Sequence, residues 1–138
     1  MHGQGRPAYA EGNRDSQRQK QDKYENCLSQ LKYVIADEFR RHRYILNDDT
    51  LSDDEKETFK SYLNRKFSDS EYEQSLQFLS SCLELWYGEK VIILIDEYDV
   101  PLEGAFVHGF YDRMVGFIRG FFENTLKTND SLNFAVIT

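Results

Sequence analysis

The sequence predicts an α/β fold with parallel strands preceded by a helical segment, and three observations carry that prediction. Val91–Ile95, "VIILI", is a continuous apolar run rather than an alternating one, the pattern of a strand covered on both faces. After it, Phe110, Met114, Phe117, Ile118, Phe121 and Phe122 recur at helical spacing. A second apolar run, "NFAVIT" at 133–138, follows. Strand, helix, strand is the parallel crossover unit, which sets ligand-binding groups at the carboxyl ends of its strands.

The elements follow in order along the chain. Residues 1–21 combine Gly, Gln, Arg, Pro and Ser with almost no aliphatic side chain, so they cannot offset the entropy of ordering, and a disordered polar tail is expected. From Asp22, the residues Tyr24, Leu28, Leu31, Ile35 and Phe39 stack on one helical stripe, predicting a helix over 22–43. "SDDE" at 52–55 has capping-box spacing, and Phe59, Tyr62 and Leu63 then predict a short helix over 53–64. A second box, "SDSE" at 68–71, opens a helix over 69–87 with Tyr72, Leu76, Leu79, Leu83 and Trp86 on one face and Gly88 placed to end it. A strand over 90–96, a helix over 107–126 and a strand over 133–138 complete the single domain expected over 22–138. A parallel strand normally has a connection and neighbours on both sides, so a chain that stops on one is expected to be a piece of a longer domain.

Bulk properties narrow the function classes. The 138 residues carry a formal net charge of −7 with 40% apolar and 14% aromatic residues, a globular composition whose charge leaves nucleic-acid binding unsupported. No apolar run approaches the ~18 to 20 residues that cross a bilayer, and the first residues lack the apolar middle of a secretory signal. Cys27 and Cys82 each sit at an apolar position of a helical pattern and read as small packed hydrophobes, which fits a cytoplasmic protein. His2, His42 and His108 share no ligand spacing and are expected at the surface.

The chemistry lies at the end of the first strand, in "VIILIDEYDVP". A carboxylate at the tip of a buried strand can hold Mg²⁺, and the next one can orient a water that attacks a phosphoryl group. In that reading Asp96 is the metal acid and Glu97 the water-activating acid. Strands also end in acids because they end at the surface and turns favour Asp, so the spacing leaves both readings open. Asp99 precedes Val100 and Pro101 and reads as a turn residue. Thr138 ends the other strand, where a hydroxyl can sense a terminal phosphate. No G-x-x-x-x-G-K-[ST] occurs in the 138 residues.

These residues resemble a family. "KVIILIDEYDVPLEGAF" followed by "GFYDRMVGFIRGFFENTLKTNDSLNFAVIT" is similar to the predicted AAA-ATPase-like family, over about residue 22 to residue 138 and most clearly from Lys90 onward. The resemblance implies part of a three-layer, P-loop NTPase-type fold, with a phosphate loop upstream and further segments, often nuclease-like, downstream. It implies that Asp96 coordinates Mg²⁺, that Glu97 is the catalytic acid, and that Thr138 ends the sensor strand near bound ATP. Phosphate-loop amides and their lysine supply most of the grip on a triphosphate, so the chain by itself is expected to be inactive. An alternative from another class is a non-catalytic α/β module that binds a protein partner, or itself, through sheet edges or helix faces.

Overall fold

The computed structural model of the chain describes residues 2–97 and 109–138, with side chains from residue 17 onward. Its elements are α1 (His2–Arg41), a 3-10 turn (Arg43–Leu46), α2 (Asp53–Leu63), α3 (Asp69–Tyr72), α4 (Ser75–Tyr87), β1 (Val91–Ile95), α5 (Tyr111–Phe122), a π turn (Glu123–Lys127) and β2 (Leu132–Ile137). The class is α/β, mainly helical, with one two-stranded parallel sheet among the described residues.

The stripe on α1 is buried as its spacing predicts: Tyr24, Leu28, Ile35 and Phe39 enter the core and Leu31 packs against it. The helix does not begin at Asp22, however. Its backbone is helical back to His2, through residues whose composition predicts a disordered tail. Once packing has nucleated a helix, each further residue adds a hydrogen bond at modest cost, so a polar segment can extend it.

Around Phe39 the helices meet ring to ring. Phe39 lies 4.9 Å from Phe59 and 5.0 Å from Tyr62, and Tyr62 lies 4.5 Å from Phe67 and 5.5 Å from Tyr72, centroid to centroid. Offset and edge-on pairs of this kind add about 0.5–1.5 kcal/mol each beyond the area they bury. The Tyr62 hydroxyl donates to the Glu71 carbonyl at 2.7 Å, and burial pushes its pKa up to about 12. Burial likewise pushes the Cys82 thiol up to about 12, and neither Cys27 nor Cys82 forms a disulfide.

Both capping boxes form at the predicted residues. Ser52 N–H donates to Glu55 Oε1 at 2.9 Å while Glu55 N–H donates to Ser52 Oγ at 3.1 Å. At the second box, the Glu71 carboxylate accepts from the Ser68 amide at 3.2 Å and from its hydroxyl at 2.7 Å. The single helix expected over 69–87 is broken in two. The hydroxyl of Ser75, fully buried, donates to the Tyr72 carbonyl at 2.7 Å, and Gln74 leaves helical geometry at φ −97°, ψ 1°. A serine hydroxyl that takes a backbone carbonyl competes with the helical ladder. Gly88 ends α4 at φ 73°, a left-handed position that glycine adopts without a side-chain penalty.

β1 and β2 pair in parallel, Ile92 opposite Phe134 and Leu94 opposite Val136. The helix α5 lies between them in sequence and buries Met114 and Phe117. It is tied to α1 by Phe110 against Tyr24 and by the Arg113 guanidinium 4.1 Å over the Tyr24 ring. Contrary to the expectation from its continuous apolar run, the sheet is not covered on both faces among the described residues. Ile92, Leu94, Phe134 and Val136, which share one face, are 52%, 74%, 50% and 43% exposed. The alternate positions Val91, Ile93, Ile95 and Ala135 are half-buried. Two layers, not three, are therefore present among the described residues, because the helices described cover a single face.

Candidate functional site

The carboxyl ends of the two strands lie side by side because the pairing is parallel. Ile95 is opposite Ile137, and the ladder continues one step further, with the Thr138 amide donating to the Ile95 carbonyl at 2.9 Å. This sets Thr138 beside Asp96, and the Thr138 hydroxyl donates to Asp96 Oδ1 at 2.7 Å. Two residues 42 positions apart thus form one polar unit at the sheet end. Asp96 Oδ2 receives no hydrogen bond among the described residues.

Glu97 follows in left-handed backbone, φ 54°. For a residue with a side chain this costs on the order of 1–3 kcal/mol, and such strain concentrates at binding and catalytic positions. Asp96, Glu97 and Thr138 are all exposed, and the Glu97 carboxylate has no partner among the described residues. Asp99 lies outside the described residues.

The oxygen donors fit Mg²⁺ in a specific sense. Mg²⁺ binds through one or two carboxylates, keeps several waters and takes the remaining positions from phosphate oxygens. One exposed carboxylate with a free oxygen meets that requirement. No cluster of three or more His, Cys, Asp or Glu able to hold a metal exists among the described residues.

Other polar features lie away from this end. An open cleft of about 640 Å³ is lined by Gln74, Gln77, Phe78, Asn129 and Asp130 among others. It sits at the amino end of β2, opposite Thr138, and is lined by none of Asp96, Glu97 and Thr138. Near the carboxyl end of α1, His42 is no free surface residue. Its Nε2 lies 3.3 Å from Glu38, its Nδ1 lies 3.1 Å from the Tyr44 hydroxyl, and Tyr44 bonds in turn to Tyr87. Partial burial and that bond to Tyr87 push Tyr44 up to about 12. The helical position of His42 four residues after Glu38 is legible in the sequence, whereas its link to Tyr87 depends on the packing of α4.

The family model described as Predicted AAA-ATPase matches residues 10–138. The match starts at residue 10, inside the segment expected to be a disordered polar tail, and not near Asp22. No curated protein and no solved structure compared with the chain matches it. No helix described is long and apolar enough to cross a membrane.

Proposed function

The chain belongs to the predicted AAA-ATPase family, and from that membership we propose that it forms the part of a P-loop-type ATPase domain that binds Mg²⁺ and activates water. The observation that carries the proposal is the joined Asp96–Thr138 pair at the parallel strand ends, followed at once by Glu97 in strained backbone. Asp96 offers Oδ2 to the cation, as a ligand or through water. Glu97 accepts the proton of the attacking water, a role suited to an exposed carboxylate. The ion supplies neutralisation of the charge that develops on the phosphoryl group.

The loop that grips a triphosphate is not among these 138 residues, so hydrolysis is assigned to a protein in which such a loop is present. The test is turnover of ATP by that protein with Glu97→Gln. Loss of turnover with nucleotide binding retained is expected, and turnover that survives would remove Glu97 from the catalytic role. Two free cysteines support a reducing, cytoplasmic setting.

A second reading is favoured by a different observation, the apolar sheet face of Ile92, Leu94, Phe134 and Val136. It makes the chain an interaction module that covers this face with a protein partner or a second copy. Light scattering of the wild type and of Leu94→Lys separates the two readings: a mass that falls with the substitution supports association through this face.

A further inference from the structure

We propose that the open cleft between α2, α4 and the amino end of β2 is a peptide-binding site for a basic side chain, in which the Asn129 carboxamide donates to the peptide carbonyl beside that side chain. The site is separate from the strand-end acids and does not depend on their role.

Three observations carry the proposal, and the first is an unspent donor. Asn129 lines the cleft and is 8% exposed, and its Nδ2 is enclosed with no hydrogen-bond partner among the described residues. Its Oδ1 accepts from the Ser131 amide at 3.1 Å, which fixes the carboxamide with its oxygen towards its own turn and its NH₂ away from it. A buried donor without an acceptor costs free energy, which a carbonyl brought by a ligand recovers.

The second is charge. Glu71 and Asp130 line the cleft, and no Lys, Arg or His does so among the described residues. Asp130 is exposed and pairs with no cation among them. A concave site lined by one sign of charge gathers ions of the other sign. Phe67 and Phe78, in the same lining, are rings of the kind on which a guanidinium stacks. A free amino acid would bring its own carboxylate towards the two acids, whereas within a peptide that group is a neutral amide. The charge therefore selects a basic residue inside a chain.

The third is a wall that is already held. Gln77 Nε2 donates to the Thr128 carbonyl at 2.7 Å, and the Ser131 hydroxyl donates to Glu84 Oε1 at 2.9 Å. Residues on both sides of Asn129 are thus tied to α4, so little freedom is lost when a ligand arrives. The volume of about 640 Å³ falls within the roughly 300–1,000 Å³ of small-ligand sites, which suits a side chain with its adjoining peptide groups.

The experiment titrates the isotope-labelled chain with Nα-acetyl-arginine amide, with its neutral isostere Nα-acetyl-citrulline amide and with free arginine, followed by NMR. Both amides are expected to move the side-chain NH₂ signals of Asn129. The arginine amide is expected to bind about two- to fivefold more tightly than the citrulline amide, the range of an exposed ion pair, and more tightly than free arginine. Asp130→Asn, at an exposed position, is expected to remove most of that preference. Asn129→Asp keeps an acceptor for the Ser131 amide but lacks the donor, and is expected to weaken the citrulline amide about three- to tenfold. Should that variant fail to fold, the wild-type Asn129 signals still report on the donor. Asn129 signals unmoved by either amide, equal affinity for the arginine and citrulline amides, or free arginine bound as tightly as its amide overturns the proposal.

Discussion

The aromatic knot of α1, α2 and α3 and the tip of the β1–β2 sheet follow opposite rules. In the knot, Phe39, Phe59 and Tyr72 are fully enclosed and every ring touches another. At the sheet tip, Asp96, Glu97 and Thr138 are exposed, and Glu97 holds a backbone conformation that a side chain disfavours. Stability and candidate chemistry are thus carried by different parts of one small chain. The helical knot is able to tolerate strain at the tip because its own burial does not depend on the tip's conformation.

That division can be attacked at its strongest point first. Phe59→Ala removes a fully buried ring from the knot and is expected to lower stability by about 3–5 kcal/mol in denaturant unfolding. A loss below ~1 kcal/mol would mean that the knot is not where the fold is held. At the tip the sign reverses: Glu97→Gly relieves the left-handed backbone and is expected to stabilise the chain by about 1 kcal/mol, while removing the proton acceptor. A destabilised glycine variant would show that the carboxylate has a structural role. Ser52→Ala removes the α2 cap and is expected to cost about 1 kcal/mol, between the two extremes.

Titration sharpens the same contrast without mutation. Tyr62 is raised by burial from 10.0 to about 12 and Cys82 from 9.0 to about 12. Both groups hold their protons more tightly when folded, so their contribution is fully present below the unfolded values. It is lost as pH rises through 9–10 towards about 12. Stability measured against denaturant is expected to fall across that alkaline window, and a flat profile would contradict the burial of both groups. The smallest effect is expected on the bare face of the sheet, where Leu94→Lys should change monomer stability by no more than about 0.5 kcal/mol.

The helical half was largely legible because its signals are local. Tyr24, Leu28, Ile35 and Phe39 announce their stripe by spacing alone, and Ser52 with Glu55 announces a cap across three residues. The break after Tyr72 was not legible, since it depends on whether a serine hydroxyl turns to a backbone carbonyl once buried. Nor was the uncovered face: a continuous apolar run states that a strand is apolar on both sides, not which layers lie upon it. At the candidate site the acids stood out in sequence, while the bond between Asp96 and Thr138 did not. It exists only because two distant strands pair in register.

That parallel register has a consequence for the order in which the molecule assembles. The helix caps and stripes close over a few residues, but β1 meets β2 only after the intervening chain has folded back on itself, and such distant closures are slow. The Asp96–Thr138 pair, 42 positions apart, therefore forms late in folding. In hydrogen exchange its neighbouring amides are expected to open before those of α2 and α4, so that the site is made last and lost first.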